Sequence, residues 1–374
     1  MDDMYKKMRL CFLGAYDPSY PRNTVLKKGL RESSVEVGEC RLPKSKFWLR
    51  YPLFFFRHPG QVRRSDFIFV PEFCQKDVPL AKFLSLVTSK KVVFDPLASR
   101  FETKITDWRR NPENSPQAWW NYKIDLWAFK FSDLILADTQ THKNYYCQKY
   151  GICAEKVAVL PVGYDDDVFL PPSALVIKGN KDRFVVLFFG SFLPLHGVDV
   201  VVEAANIIRK EDPSVQFQLI GSGQTLSKVK SLASQLGLDT IKFENWLPQS
   251  LLIQKIALAD ICLGIFGKTD KALRVVPHKI FQAMGMKKPV ITARTPAVEE
   301  YFSHRENIFL CEEPEPESLA RAILELKKEA SLRDKIAREG YELVREKYCP
   351  AALGRRFKEI LLENFGGTSR REIA

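Results

Sequence analysis

Phe184 to Lys210 reads FVVLFFGSFLPLHGVDVVVEAANIIRK. Its first six residues are apolar without interruption, a run too short for a helix and too continuous for a half-exposed strand, so they predict a strand buried on both faces. Gly190 to Gly197 (GSFLPLHG) follows as a loop with glycine at both ends, and Val198 to Lys210 then carries helical spacing. Strand, glycine loop and helix make up the repeating unit of a doubly wound α/β domain. The unit recurs downstream. Val215 to Ile220 ends in Gly221-Ser222-Gly223, Ile241 to Phe243 leads into ENWLPQS, Ile261 to Ile265 into FGKTDKALRVVP, and Val290 to Thr292 into ARTPAVEE. Ligands of such sheets bind at the carboxyl ends of the strands, which directs attention to the glycine, lysine and polar residues there.

The first half has the same rhythm. Met8 to Leu13 predicts a strand, followed by Gly14 and a helix over Asn23 to Arg31; Phe67–Val70, Lys91–Phe94, Leu134–Ala137 and Val157–Leu160 are further short apolar runs. Strand, glycine, helix suits a phosphate cradle, and a single glycine suits a plain βα turn equally. Asp95, Arg100, Glu102 and Lys104 follow one strand, and Asp138, Thr139 and His142 another. A carboxylate, a cation and a histidine on one rim can bind the hydroxyls of a polar acceptor, while Asp138 or Thr139 also suits a helix N-cap. At 374 residues the chain exceeds what one core supports. The Pro171-Pro172 junction divides it into expected domains 1–172 and 173–349, two sheets facing a central cleft.

Basic residues outnumber acidic ones, 57 to 45, for a net charge of +12, which favours an anionic partner: nucleic acid, a phosphorylated small molecule or an anionic membrane. Arg41 to Arg64 concentrates this, with seven Lys/Arg, no acid, and Phe47, Trp48, Tyr51, Phe54, Phe55 and Phe56 between them. Rings at the headgroup boundary with cations on anionic lipid fit that composition. A grip on single-stranded nucleic acid or packing of the rings into a core are the other readings. The eight cysteines form no C-x-x-C pair, as in a reducing compartment and without a zinc site. Asp165 to Asp167 point in different directions along the chain and do not make a metal cage. The N-terminal apolar run is too short for a signal peptide, and no run approaches the ~20 residues of a membrane span. The expectation is a cytoplasmic protein, soluble or peripheral on the inner face of the membrane.

Lys271 to Phe302 (KALRVVPHKIFQAMGMKKPVITARTPAVEEYF) contains an electrostatic anomaly. Pro277 suits the first position of a helix running to about Met286, yet that helix opens with His278 and Lys279. A cation there opposes the helix dipole at a cost of roughly 0.3–1 kcal/mol. A bound anion would reverse the sign; a solvated lysine would merely tolerate it. Lys279 and Gln282 share a face. No Walker A, H-E-x-x-H or G-x-S-x-G motif is present, and G-S-G-x-x-L lacks the last glycine of a dinucleotide fingerprint.

The order FFGSFLPLHGVDVVVEAA, LIGSGQ, FENWLP, ADICLGIF, VVPHKIFQAMGMKKPVIT and PAVEEYF resembles the C-terminal half of retaining glycosyltransferases of family 4. GAYDPSYPRN, FDPLASRFETK, LADTQTH and VLPVGYDDDVFLP resemble the N-terminal half of a bacterial branch that builds envelope glycans. The resemblance implies the GT-B fold, two Rossmann-like domains closing on a nucleotide-diphosphate sugar, with a final helix, 350–374, packing back on the first. It implies that Gly190, Ser191, His196 and Gly197 wrap the diphosphate and that Gly221 and Gly223 belong to the same rim. Trp246 and Leu247 would meet the base, Gly14 would lie beneath the donor sugar, and Glu299 and Glu300 would fall at the end of the nucleotide site. Asp95, Arg100, Glu102 and His142 would face the acceptor. The Arg and Lys usual in the first loop are replaced here by Ser191 or Phe192 and His196. The paired glutamates usual eight apart fall on Arg274 and Gln282. Lys271, Arg274 and Lys279 would then supply the positive charge for the leaving diphosphate. His196 reads equally as a cation beside it or as a neutral hydrogen-bonding group. The implied chemistry needs no metal or cofactor beyond the donor itself, and the acceptor would be a lipid-linked or cell-surface glycan. Nucleic acid is not expected. A nucleotide-sugar epimerase and a non-catalytic membrane or nucleic-acid binder are the rival readings.

Overall fold

The computed structural model describes residues 7–45, 49, 51, 52, 54, 60–172, 183–312 and 314–366. They form two compact units, Met1–Val162 with Cys349–Ala374, and Gly163–Tyr348.

The first unit is a parallel sheet in the order β2-β1-β3-β4-β5-β6. Its strands are β1 (Arg9–Gly14), β2 (Glu36–Arg41), β3 (Phe67–Val70), β4 (Lys91–Phe94), β5 (Leu134–Ala137) and β6 (Val157–Val159). The helices are α1 (Pro21–Glu32), α2 (Gln61–Arg64), α3 (Val78–Thr88), α4 (Pro116–Phe131), α5 (Gln140–Tyr150) and, from the far end of the chain, α13 (Pro350–Phe365). The chain steps one way from β1 to β2 and the other way from β3 through β6. Right-handed crossovers therefore put α1 on one face and α3, α4 and α5 on the other. Leu10, Phe12, Ile68, Val93 and Ile135 are wholly buried between these layers.

Helix α13 joins the first unit through backbone contact with α1. A methyl group added at Gly29 would overlap the Pro350 carbonyl oxygen, and one at Gly354 would overlap that of Gly29. Phe357 packs on Phe69 with ring centroids 5.4 Å apart, so the C-terminal helix is part of this core.

The second unit repeats the scheme in the order β12-β11-β10-β7-β8-β9. It contains β7 (Phe184–Phe189), α6 (Val198–Glu211), β8 (Val215–Ile220), α7 (Leu226–Gln235), β9 (Ile241–Glu244), α8 (Gln249–Leu258) and β10 (Ile261–Leu263). Then follow α9 (His278–Gly285), β11 (Val290–Ala293), α10 (Pro296–Glu299), β12 (Phe309–Cys311), α11 (Pro316–Lys328) and α12 (Ala330–Lys347).

Several expectations change. The division falls at Val162, before Pro171-Pro172, because the Tyr164 N–H donates to the Tyr348 carbonyl at 3.4 Å and the Tyr164 ring fills the space beside Gly285. Pro277 caps α9 from outside: its ψ of 150° is extended, and its carbonyl accepts the Ile280 N–H at 3.1 Å. In the basic aromatic stretch 41–64, residues 46–48, 50, 53 and 55–59 lie outside the described residues. Of its described rings, Phe54 is 2% exposed and belongs to the core, and the Tyr51 hydroxyl donates to the Lys76 carbonyl. Phe54 therefore packs as a core ring, the alternative reading of this stretch, and Tyr51 is tied to the backbone of the first unit.

Gly29→Ala or Gly354→Ala should cost about 1–3 kcal/mol, the range for overpacking, because two backbones must separate to admit a methyl group. Urea denaturation of the two variants measures the loss, and the double variant should fall short of the sum since both act on one contact.

Candidate active site

In the second unit, the turns after β7, β8 and β10 are locked together through their backbones. Gly190 (φ 144°), Gly221 (φ 140°) and Gly223 (φ 155°) adopt conformations that side chains disfavour. A methyl group at Gly221 would overlap the Gly190 carbonyl oxygen, and one at Gly223 would overlap the backbone of Phe192. The Gly190 N–H donates to Ile220 and the Phe192 N–H to Ser222, both at 2.9 Å. At the other end of the loop Gly197 (φ 59°) opens α6, and the Phe266 and Gly267 N–H groups donate to the His196 and Leu195 carbonyls at 3.1 Å. The Gly190–Gly197 loop is thus held from both sides.

Lys279, the second residue of α9, brings its amine to this loop. A methyl group at Gly190 would lie 2.8 Å from Lys279 Nζ, and Nζ sits 3.8 Å from the centroid of the Phe188 ring. Lys279 is 6% exposed, and its amine has no hydrogen-bond partner among the described residues. Burial holds its pKa well below the ordinary lysine value. Leaving a buried amine without a partner is costly, and groups perturbed in this way concentrate at functional sites.

His196 is 8% exposed, and its Nδ1–H donates to the Ser191 carbonyl. Burial pushes its pKa well below the usual histidine range, and Lys279 and Lys271, whenever charged, push the same way. Of its two possible forms, this geometry holds the neutral one, with Nδ1 carrying the proton. Lys271 is buried and Arg274 half-buried, in one turn closed by the Arg274 N–H on the Lys271 carbonyl at 3.0 Å. Gln282 is half-buried three residues beyond Lys279. Glu299 is bound by Arg294, whose other amine holds Glu312 at 2.8 Å. Glu300 is exposed, as is Trp246, whose neighbour Leu247 is half-buried. The structure therefore gathers Gly190, Ser191, His196, Gly197, Gly221, Gly223, Lys271 and Lys279, and leaves Glu299 engaged elsewhere.

The other expected residues belong to the first unit. Gly14 (φ 149°) ends β1 against Cys74 and Asp77, and Asp77 Oδ2 accepts the next N–H, from Ala15, at 3.0 Å. Asp95 accepts Arg22 Nε at 2.7 Å and the Leu97 N–H at 3.1 Å. His142 bridges two carboxylates, with Nδ1 2.6 Å from Asp138 and Nε2 3.0 Å from Glu102. Burial alone would lower the His142 pKa, but Glu102 and Asp138 raise it to about 9, so it is an imidazolium between two anions. Arg100 is half-buried and gives its N–H to Asp125 at 2.9 Å. Two members of this rim, Arg22 and Glu72, escaped the sequence reading. Burial, then the Asp95 charge, pushes the Glu72 carboxyl up to about 8. Glu72 stands directly after the Phe67–Val70 strand and a proline, a strand-end position that warranted the same scrutiny as Asp95.

A polar loop held by glycines, a buried unpaired amine and a helix N-terminus lie at one rim. Residues 176–343 match the family model described as glycosyl transferases group 1. All the second-unit residues named above lie inside that segment. The D-inositol 3-phosphate glycosyltransferase of Thermomonospora curvata is 25% identical over 226 residues, covering 55% of this chain and 51% of that protein. The lipopolysaccharide core biosynthesis glycosyltransferase LpsD of Rhizobium meliloti is 24% identical over 185 residues, covering 49% and 51%. The chain thus spans about half the length of these curated relatives. HepE of Anabaena, crystallised with UDP and glucose, superposes with a TM-score of 0.72 at 17% identity over 95% of this chain and 100% of that one. Sucrose-phosphate synthase of Thermosynechococcus elongatus does so with 0.72 at 14%, over 97% and 100%. These likenesses show the GT-B fold, each half Rossmann-like.

The free energy of folding should report the unpaired amine. Because the Lys279 pKa is depressed in the folded chain, the unfolded state binds more protons up to the ordinary lysine value. Stability without ligand should therefore rise with pH across that window. Lys279→Met should remove this rise and stabilise the ligand-free protein at neutral pH by about 1–2 kcal/mol, roughly 2–8 °C in Tm. Thermal melts of both proteins at pH 7 and pH 9 measure it.

Proposed function

We propose that this chain is a family 4 glycosyltransferase that moves a hexosyl group from a nucleoside-diphosphate sugar to a hydroxyl of a lipid-linked or cell-envelope glycan. Configuration at the anomeric carbon is retained, no metal ion is needed, and the enzyme works on the cytoplasmic face of the membrane. The observation that carries the reading is the buried, unpaired amine of Lys279 at the Gly190 turn. The names of the relatives, which include lipopolysaccharide core and amylovoran biosynthesis glycosyltransferases, support the class of acceptor.

The chemistry follows from that amine. As the anomeric C–O bond breaks, negative charge grows on the departing diphosphate. Lys279, protonated once an anion sits beside it, and the N–H groups opening α9 face that charge without reorganising, which is the effective form of electrostatic catalysis. Lys271 and Arg274 add positive field from the preceding turn. His196, neutral and tied through Nδ1 to Ser191, shapes the loop. The acceptor oxygen bonds to the anomeric carbon on the face the phosphate leaves, and its proton passes to the departing phosphate oxygen. With cations supplied by the chain, a divalent ion has no charge left to balance.

Thermal melts against UDP, GDP, ADP and dTDP test the reading. UDP comes first because the solved structures of HepE and TarM hold it. One nucleotide at a hundred times its Kd should add about 2.7 kcal/mol; no response to any of the four would refute a nucleotide-sugar donor. Lys279→Met should abolish the response, and chelation of metals should leave it intact. Calorimetry in buffers of different ionisation enthalpy should show proton uptake on binding, with affinity falling as pH rises, since an anion restores the proton that burial removes from Lys279.

A further inference from the structure

In the first unit, the segment after β4 reads ASRFETKITDWRRN from Ala98 to Asn111. It begins as a helix whose turns widen over Glu102–Asp107, with the Trp108 N–H reaching five residues back to the Thr103 carbonyl at 3.0 Å. Turns this wide are rare and gather at functional sites. Arg109 then takes a left-handed backbone, φ 48°, and the Arg110 N–H returns to the Lys104 carbonyl at 3.1 Å. The fold sorts the charges of the segment by sign. Glu102 and Asp107 are wholly buried, and Glu102 is bound by His142. Arg100 and Lys104, one turn apart, are half-buried, while Arg109 and Arg110 are exposed.

Among the described residues, Arg100 Nε is buried without a hydrogen-bond partner, and the charged groups of Arg100, Lys104 and Arg110 meet no carboxylate. The Arg110 guanidinium lies over the Trp108 ring, 4.2 Å from its centroid. Burial, then repulsion from Arg100, Arg110 and Lys76, lowers the Lys104 pKa. Asp125 attracts both Arg100 and Lys104, yet its oxygens are taken by the Arg100 and Phe101 N–H groups at 2.9 and 2.8 Å and by the Tyr150 hydroxyl at 3.2 Å. Burial also pushes the Asp125 carboxyl up to about 7, so it is an incomplete counter-charge at neutral pH. The stretch 41–64, which reaches Lys76 through Tyr51, contains no acid to add. A solvated basic face would leave its guanidinium nitrogens in water, whereas partly buried cations set together without acids are costly to hold. A carboxylate would balance one of them. A phosphate brings up to about two negative charges and oxygens for a guanidinium fork and an ammonium together. We propose that Arg100, Lys104 and Arg110 bind a phosphate group carried by the acceptor. The proposal rests on the transferase reading only for calling the ligand an acceptor, since these residues lie outside the segment that matches the family model.

Calorimetric titration of the full chain with pyrophosphate, geranyl diphosphate and glucuronate tests it, at physiological ionic strength and with the donor site filled by the nucleotide that raises Tm. Both phosphate probes should bind and glucuronate should not. Tighter binding of geranyl diphosphate would mark a lipid-linked acceptor, and equal binding a soluble phosphate ester. Arg100→Gln with Lys104→Gln should weaken pyrophosphate binding by about tenfold or more, as for loss of a charge-assisted hydrogen bond, while the nucleotide-induced shift in Tm persists. Should that pair fail to fold, Arg110→Gln at an exposed position carries the same direction of effect. Lys91→Gln with Lys130→Gln removes equal charge elsewhere on the first unit and should change nothing. Unaltered pyrophosphate binding in the Arg100, Lys104 and Arg110 variants would overturn the proposal. So would an equal loss in the Lys91 and Lys130 variant, glucuronate binding as tight as that of pyrophosphate, or no binding of either phosphate probe. If no nucleotide shifts Tm, the transferase reading falls by itself, and the same titrations without nucleotide still decide whether the phosphate site exists.

Discussion

Backbone contact between turns that follow neighbouring parallel strands is what the second unit depends on. The Gly190 carbonyl occupies the space a side chain at position 221 would take, and Phe192 does the same at 223. Only with those positions empty can the loop after β7 lie against the loop after β8 and still reach the β10 loop through His196 and Leu195. The consequence is rigidity where the sheet presents its peptide groups. A cradle already in place loses no ordering free energy when it meets charge, which is why such contacts suit a site for a leaving group. The same packing seals Phe188 beneath the loop and sets the Lys279 amine on its ring.

The two units treat buried charge differently. At the rim of the first unit, Arg22 pairs with Asp95, and His142 with Asp138 and Glu102, all within 3.0 Å, along the carboxyl ends of β4 and β5. Such networks add little to stability over an apolar core but are costly to break singly, so they hold one arrangement. Raised pKa values for Glu72 and His142 show the same economy of charge: the carboxyl keeps its proton, the imidazole gains one, and few charges are left unopposed. In the second unit Lys279 has no such partner. Among the described residues, the first rim pairs its central charges with one another, although Glu72 Oε2 and Arg100 Nε are left without partners, whereas in the second it is the Lys279 amine that has none.

Much of the fold was legible because parallel strands buried on both faces read as apolar runs, as in Phe184–Phe189 and Leu134–Ala137. Strand β2, EVGECR, was not, since only Cys40 is buried on that sheet edge. The break between α11 and α12 was also hidden: Glu329 leaves the helix at ψ 76° with no proline or glycine to announce it. Glycines are visible as letters, but that Gly29 meets Gly354 is a fact of distance. Lys279 stood out as a cation on the wrong end of a helix, although its burial did not. The pairing of His142 with Asp138, four apart on the chain, was within reach of sequence, and Glu102 was not. In PQAWWNYKIDLWAFKF apolar residues surround the helix, so periodicity does not say which side faces inward. Asp125 and Asn121 turn inward for hydrogen bonds that no periodicity reveals, and the tryptophans are left outside.

The departure at Gln282 and the electrostatic anomaly at Lys279 make sense as a pair. Position 282 is three residues from 279, close enough on a helix for a carboxylate to reach the amine. A glutamate there would neutralise Lys279 in the empty site, and any incoming diphosphate would have to displace it. An amide cannot hold the ammonium in that way. Lys279 therefore stays unpaired, and burial strips its proton rather than leaving a naked charge. Under the proposed function a bound diphosphate would be the counter-ion that restores this proton, and that gain would add to discrimination between a diphosphate and a neutral molecule. Under that proposal, the residue that departs from the expected pattern is part of the reason the neighbouring lysine would serve.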